Sequence, residues 1–274
     1  MKSIKILSTL VVIASILTAC EKNNSEEPNF DSLKDQAYVV GLFSDIYDQV
    51  EEASGNIEHN NTNKSFLNNG CATLTVFPID SGVRPKYLTI DFGPVNCLCN
   101  DGKYRRGQIL VSQTDFRMNP NALRTISFNA YYVNDNNIDG IKTITNNGFN
   151  LSGNMYFSIL VVDGTVIKPD SSFILWNSSR TREWVDGINT PFYIWDDEYL
   201  ISGGSNLVNS NNDSLSVTII NPLDKKIGCQ WFRSGTVEFE NNTGNQKLLD
   251  YGNGLCDSLA TVTVNGNVYN IILN

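Results

Sequence analysis

The sequence has very little histidine and a deficit of basic charge, and it has no apolar run long enough to cross a bilayer. Of its 274 residues one is a histidine, His59, and 20 are lysine or arginine against 29 acidic residues. A single histidine argues against a hydrolytic zinc site and against a histidine-based nucleophile triad. The acidic excess repels a phosphate backbone and disfavours nucleic acid as a partner. We therefore expect no metal and no cofactor.

Residues 1–19 have the composition of an export signal. Lys2 and Lys5 precede an apolar run at 6–17 that is too short to span a membrane. The following "LTAC" at 17–20 resembles the lipobox of bacterial lipoproteins, which implies cleavage before Cys20 and attachment of lipid to its thiol. The alternative is an ordinary secretory signal that Cys20 merely follows. We expect a protein held on the membrane by a lipid anchor, without a transmembrane helix.

Residues 20–30 contain the lipidated cysteine and a predicted flexible acidic tether, "EKNNSEEPNF", with no apolar spacing for a packed element. Its glutamates resemble the acidic export tag of Bacteroidota lipoproteins. This implies the outer membrane and favours its surface face, with the periplasmic face left open. Removing Lys2 and Lys5 with the signal leaves 18 basic against 29 acidic residues, a formal charge of −11.

Residues 31–56 have the apolar spacing of an amphipathic helix, with Asp31 or Ser32 as its cap and "SGN" at 54–56 as its end. The apolar positions are Leu33, Ala37, Val40, Phe43, Tyr47 and Val50. The helix either binds a partner or packs on the main sheet, and we favour packing. A polar linker is predicted at 57–70.

Residues 71–274 are predicted to form one all-β domain, a large antiparallel meander sheet or sandwich. Short apolar segments such as "ATLTVFP", "YLTIDF", "MYFSILVV" and "SLSVTII" recur between Gly, Asn and Asp, with no helical pattern between them. The dipeptides "DG" at 163–164 and "NG" at 265–266 predict two-residue hairpins. "DNNIDG" at 135–140 fits half of a calcium loop, but Asn146 stands where the loop needs a glutamate, which favours a turn.

The cysteines repeat with similar spacing around pairs of predicted strands. Cys71 and Cys97 bracket one pair and Cys229 and Cys256 bracket another. Outside the cytoplasm this spacing predicts two disulfides, each closing its own two-strand repeat unit, near 71–97 and 229–256. Pairing between the two units is the alternative, and Cys99 is left over.

The segments "TIDFG", "NSSRTREW", "GCQW" and "DYGNGLCD" resemble a group of Bacteroidota lipoproteins for which no activity is established. The resemblance covers most of the chain beyond residue 70. It implies the lipid anchor and the β-sheet body, and it implies no reaction.

Residues 176–200 contain the strongest candidate for a binding site. In an extended strand Trp176, Arg180, Arg182 and Trp184 share one face, which would form a platform of indoles and guanidinium groups for sugars or carboxylates. The remaining candidates follow in a predicted loop: Tyr193, Trp195, Asp196 and Asp197. The alternative is a ladder of side chains that only stack across the sheet.

We expect a lipid-anchored, extracytoplasmic β-sheet protein that is a non-catalytic scaffold or binding module of the outer membrane, with a glycan or an envelope protein as its ligand. One alternative is a carbohydrate-active hydrolase that uses two carboxylates. Its candidate acids are Asp91, Glu183, Asp186, Asp196, Asp197, Glu198 and Asp250. The other alternative is an interaction subunit of an envelope complex.

Overall fold

The computed structural model describes residues 31–60, 64–66, 70–80, 82–190, 193–229 and 231–273. Cys20, together with the predicted signal and tether, lies outside the described residues. The described part forms one α-helix, one short 3₁₀ helix and one large β-sheet. This confirms the predicted all-β body with a helix before it.

The helix α1 (Asp31–Asn60) packs its apolar side against the sheet. The buried residues recur every three or four positions, as in an amphipathic helix: Val39, Leu42, Phe43, Ile46, Val50 and Ala53. Of the positions predicted from the sequence, Phe43 and Val50 lie at the centre of this side. Leu33, Val40 and Tyr47 lie at its half-buried margin, and Ala37 is exposed.

The helix ends at Asn60, four residues beyond its predicted end at residue 56. Tertiary contacts favour the longer helix, because Ile57 packs against the core and the Glu58 carboxylate accepts hydrogen bonds from Gln113 and the backbone of Arg117. The stretch predicted as a linker therefore contains the last turn of α1, and it also contains the first strand, β1.

The sheet contains fifteen strands in the described residues. They are β1 (Lys64–Phe66), β2 (Thr73–Phe77), β3 (Lys86–Asp91), β4 (Cys97–Leu98), β5 (Tyr104–Gln113), β6 (Leu123–Val133), β7 (Asn136–Phe149), β8 (Met155–Ile167), β9 (Phe173–Asp186), β10 (Glu198–Asn209), β11 (Ser214–Lys226), β12 (Ser234–Asn241), β13 (Gln246–Asn253), β14 (Leu259–Val264) and β15 (Asn267–Ile272). The 3₁₀ helix, Ile194–Asp196, lies between β9 and β10.

The strands follow one another as an antiparallel meander. Each strand from β1 to β15 pairs with the next along the chain, except that β3 pairs with β5 and the short β4 pairs with β5 from the side. The meander prediction is therefore confirmed, and the strands that the structure describes form one sheet and not a two-sheet sandwich. Within the described residues β1 and β15 are the two edges of the sheet.

One face of the sheet packs against α1, and we call it the helix side; the opposite face is the outer side. Alternation along each strand sends apolar residues such as Ile109, Ile126 and Ile144 to the helix side, where they join the core around α1. The outer side carries Ser, Thr and Asn together with exposed apolar side chains.

Glycines interrupt the pairing of several long strands with β-bulges. Register shifts occur beside Gly107, Gly140, Gly164 and Gly203. At Gly107, φ is +82° and an added Cβ would lie 1.9 Å from the backbone oxygen of Ala130, so only glycine fits. Bulges bend strands and increase their twist, which lets this wide sheet curve over α1.

Both disulfides form as predicted, Cys71 with Cys97 and Cys229 with Cys256. The first encloses β2 and β3, and the second encloses β12 and β13. Cys99 is a free, buried thiol. The crossed pairing is excluded.

Of the predicted hairpin turns, one is confirmed and one is wrong. Asn265 and Gly266 connect β14 to β15 as predicted, both with positive φ. Asp163 and Gly164 instead lie inside β8, where the positive φ of Asp163 forms a bulge. The "DNNIDG" segment begins with a turn, since Asn134 and Asp135 have positive φ between β6 and β7.

Candidate functional site

The four residues of β9 predicted to share one face do so, and Ser178 lies on the same face between them. Trp176, Ser178, Arg180, Arg182 and Trp184 all lie on the helix side, as the neighbouring residues on β8 and β10 show. Because α1 packs on this side, the two indoles are not exposed to solvent: Trp176 is 3% exposed and Trp184 is 6% exposed.

The indoles contribute to packing. The Trp176 ring lies 5.1 Å from Phe43 of α1, and the Trp184 ring lies 5.8 Å from Tyr199 of β10. The hydroxyl of Tyr199 donates a 2.7 Å hydrogen bond to Asp197. These contacts correspond to the stacking alternative of the sequence analysis, in which the tryptophans support the fold.

Arg182 is enclosed by aromatic rings beneath α1. Its guanidinium carbon lies 4.3 Å from the Tyr47 ring and 4.4 Å from the Tyr199 ring, and it donates a hydrogen bond to the Tyr47 hydroxyl. Burial lowers the pKa of Arg182, but these tyrosines and Glu51 outweigh it and raise the pKa overall. Arg182 therefore remains charged, and it has a hydrogen-bond partner in Tyr47.

Glu51 of α1 binds two further arginines, one on β6 and one in the connection between β5 and β6. Its carboxylate accepts hydrogen bonds from Arg124 at 2.5 Å and from Arg117 at 2.8 Å. Burial alone would raise the pKa of Glu51, but the two guanidinium groups together with Arg182 lower it well below its usual range. Glu51 is therefore ionised and holds α1 to the sheet.

Arg180 differs from these arginines because it has no acidic partner. Among the described residues it makes no hydrogen bond and no ion pair, and its Nε atom is fully shielded from solvent. Its guanidinium carbon lies 5.8 Å from the Trp176 ring. Burial lowers the pKa of Arg180, and only the nearby Tyr251 opposes this effect.

The strands on either side of Arg180 place no charged residue opposite it. Its opposite residue on β10 is Gly203, which has no side chain. On the following strands the same row continues with Ile219 and Val237, which are both buried. The guanidinium thus lies among aromatic and aliphatic groups, with an unoccupied set of hydrogen-bond donors.

Two titratable groups of the helix–sheet interface lie close to Arg182. Lys142 of β7 is buried and donates a 2.7 Å hydrogen bond to the backbone oxygen of Phe43; burial and then Arg182 lower its pKa to about 7. Asp48 is exposed, but the protein atoms around its carboxylate reduce its solvation. This loss of solvation and the charge of Asp45 raise the pKa of Asp48 to about 6. Both groups therefore titrate near neutral pH.

The other four predicted site residues lie near the 3₁₀ helix and do not form one site with Arg180. Tyr193 and Trp195 are 57% and 60% exposed. Asp196 accepts a 2.6 Å hydrogen bond from Thr190, and Asp197 is 4% exposed with a pKa raised by burial. The eight candidates thus divide into a buried row on β9 and a partly exposed turn before β10.

The acids of the hydrolase alternative are held in local structural contacts. Glu183 accepts hydrogen bonds from Asn150 and Asn154, and Glu198 pairs with Arg233 at 2.6 Å. Asp91, Asp186 and Asp250 each accept a hydrogen bond from a nearby backbone N–H. The arrangement favours structural roles for these carboxylates.

A shallow depression on the outer side was not predicted from the sequence. It has a volume of about 450 Å³ and spans β8 to β11 around Gly204. Exposed side chains at its surface include Leu160, Val162, Asn177, Ser179, Asn206, Ser216 and Thr218. None of its lining residues is acidic, basic or histidine. The sequence signal for this depression would have been Gly204, which has no side chain to fill the space between its neighbours.

No protein-family model, curated protein or solved structure matches the chain. In the part of the chain that the structure describes, no group of three or more His, Cys, Asp or Glu residues is arranged to hold a metal ion. No described helix combines the length and apolar character needed to cross a membrane.

Proposed function

We propose that the chain is a lipid-anchored, extracytoplasmic and non-catalytic binding module whose β-sheet body holds a carboxylate- or phosphate-bearing ligand at Arg180. The observation that carries this proposal is that Arg180, whose Nε atom is shielded from solvent, has no acidic partner among the described residues. The lipobox-like "LTAC" supports the anchor, and the bridges Cys71–Cys97 and Cys229–Cys256 suit an oxidising compartment.

A buried charge is costly unless it is paired and hydrogen-bonded. The other arginines that pack between α1 and the sheet meet this requirement through carboxylates or a tyrosine: Arg105, Arg117, Arg124 and Arg182. Arg180 does not, so an anion supplied by a ligand would complete its hydrogen bonds. A planar guanidinium is well suited to bind a carboxylate or a phosphate through two hydrogen bonds.

The neighbours of Arg180 favour binding over catalysis. The Trp176 ring supplies a flat apolar surface near the guanidinium, and Tyr251 is close enough to influence its charge. The acids of the hydrolase alternative lie in structural contacts elsewhere. An acidic sugar of an envelope glycan has both the carboxylate and the flat ring faces that such a site accepts. We therefore propose that the glycan ligand predicted from the sequence is one that contains an acidic sugar.

The test is calorimetric titration of the mature chain carrying Cys20→Ser, which prevents lipidation. We expect glucuronate to bind and glucose, which lacks the carboxylate, not to bind. Arg180→Gln should weaken glucuronate binding at least about tenfold, the loss of one charge-assisted contact. Inorganic phosphate tests whether the head group alone suffices.

The matched control is Arg106→Gln. This substitution also removes one positive charge, but at an arginine that is already paired with Asp135. This variant should bind glucuronate as the unmodified chain does. Equal binding by R180Q and the unmodified chain, or binding of neither glucuronate nor phosphate, would refute the site.

A further inference from the structure

The edge strand β15 lacks the features that normally protect a sheet edge. Its sequence, "NVYNII", contains no charged residue and no proline, and three of its side chains are largely exposed: Val268, Tyr269 and Ile272, at 54–70%. Exposed edges in soluble proteins usually carry lysine, proline or a bulge, because an open edge pairs with other strands. The open edge is thus available to a further strand.

The direction of the free backbone groups follows from one hydrogen bond. Leu273 donates its N–H to the oxygen of Ser258, which lies just before β14. Since the direction of N–H and C=O alternates along a strand, the groups of odd-numbered residues point toward β14. The N–H and C=O groups of Val268, Asn270 and Ile272 therefore point away from the sheet.

These three residues are self-complementary about Asn270. If a second β15 approaches antiparallel with a twofold axis at Asn270, then Asn270 faces its own copy and Val268 faces Ile272 of the second copy. All three pairs are then of the type that exchanges two hydrogen bonds, and Tyr269 faces Ile271 of the second copy on the helix side. Every outward group is satisfied, and apolar residues meet apolar residues.

We propose that β15 pairs with β15 of a second copy of this chain, with Asn270 on the twofold axis, so that two sheets join into one. A twofold interface uses the same surface on both copies, which this register provides. Among the described residues the other edge strand, β1, has three residues, whereas β15 has six.

The charge distribution supports a second copy as the occupant. The hairpin of β14 and β15 contains no charged residue from Leu259 to Leu273, although the molecule as a whole is acidic. Two copies would otherwise repel each other, and like charges facing across strands are destabilising. At this edge the two copies would meet without any pair of like charges. The outer-side residues Leu259, Val268 and Ile272 add apolar area beside the new strand pair.

The first test is sedimentation equilibrium of the mature chain carrying Cys20→Ser. We expect a dimer whose dissociation constant rises at least about tenfold in Asn270→Pro, because proline removes an outward N–H on each copy. Proline is tolerated at an edge position whose N–H faces solvent, so the pairing of β15 with β14 should remain. Asn270→Thr keeps the N–H and should still dimerise, and circular dichroism checks the fold of both variants.

The second test determines the register by oxidative cross-linking. In an exchanging pair the two Cα atoms at residue 270 lie about 5.5 Å apart, within the range of a disulfide, so N270C should cross-link to itself. V268C should not, because residue 268 faces Ile272 of the second copy. V268C mixed with I272C should form the cross-linked dimer.

A protein that stays monomeric up to about 1 mM overturns the inference, because that corresponds to negligible affinity. So does a dimer with equal dissociation constants in N270P and N270T, or one in which V268C alone cross-links, since each would place the contact elsewhere. Glucuronate binding at Arg180 does not depend on any of these outcomes.

Discussion

Asp45 of α1 and Arg105 of β5 form a buried ion pair that fastens the helix to the sheet. Arg105 has no solvent exposure, and its guanidinium nitrogen lies 2.7 and 2.8 Å from the two carboxylate oxygens of Asp45. Asp101 supplies a second carboxylate on the same guanidinium. Burial lowers the pKa of Arg105, but the two carboxylates raise it overall, so the charge persists.

Asp45→Asn should strongly destabilise the protein, because it leaves a fully buried guanidinium with only the partly exposed Asp101 as its counter-charge. We expect a loss of about 3 kcal/mol in the free energy of unfolding, measured by urea titration. Asp35→Asn is the control on the same helix, since Asp35 pairs with the more exposed Lys168. It should cost less than about 1 kcal/mol, and equal losses would contradict the special role of Arg105.

Two arginines on one strand should respond in opposite ways to the same substitution. Arg182→Met removes the contacts with Tyr47 and Tyr199 and should lower the free energy of unfolding by about 2 kcal/mol. Arg180→Met removes a shielded charge that has no partner, so in the absence of ligand it should raise the free energy by about 1 kcal/mol. Urea titrations of both variants test this, and destabilisation by R180M would show that Arg180 contributes to the fold.

The sequence predicts much of this fold because the signals for it are local. Strand alternation places Trp176 and Trp184 on the same face, and the spacing of the cysteines identifies both disulfides. Asn265–Gly266 forms its hairpin because both residues accept positive φ. Asp163–Gly164 can adopt the same backbone conformations. Because β8 pairs with β7 and β9 on both sides of this dipeptide, the positive φ produces a bulge within the strand and not a hairpin turn.

The site could not be predicted in the same way, because it depends on contacts distant in the sequence. Alternation shows that Arg180 and Trp176 share a face, but it does not show whether that face meets solvent or α1. Only the packing of α1 buries the indoles and gives Arg182 its tyrosine partner. Among the described residues Arg180 has no acidic partner, and the helix carboxylates Asp45 and Glu51 bind Arg105 and Arg124 instead.

Lys142 should make the stability depend on pH above neutrality. Burial holds the pKa of Lys142 at about 7, whereas the unfolded chain keeps its usual value near 10.5. Between these values the unfolded state binds a proton that the folded state lacks. The free energy of unfolding therefore rises with pH in this window, by about 1.4 kcal/mol per unit at most. Lys142→Met should flatten the rise between pH 7 and 9.5, and an unchanged slope would contradict the depressed pKa.

Cys20→Ser should release the protein from the membrane. If lipid at this thiol is the anchor, the unmodified protein sediments with the membrane fraction and the variant is soluble after cell lysis. Cys99→Ser is the control, since it removes a free thiol that is buried in the folded body. Protease treatment of intact cells then tests the membrane face: digestion would favour the surface, and protection until the outer membrane is opened would favour the periplasm.

The two disulfides should differ in what their loss unfolds. Loop entropy assigns about 3.5 kcal/mol to each bridge, because they close loops of 26 and 27 residues. Their surroundings differ, however. The unit closed by Cys71–Cys97 contains Leu74, Leu88 and Ile90, which are almost completely buried. Removal of this bridge by the double serine variant should lower the global stability and leave the strands folded.

The last three strands, two of which follow the bridge Cys229–Cys256, bury few side chains. From β13 to β15 the only side chain classed as buried among the described residues is that of Ala260. Hydrogen–deuterium exchange of the double variant Cys229→Ser and Cys256→Ser should therefore show early exchange confined to β12 through β15, since regions with few buried contacts open first. Uniform loss of protection across the sheet would instead show that these strands unfold only together with the rest of the protein.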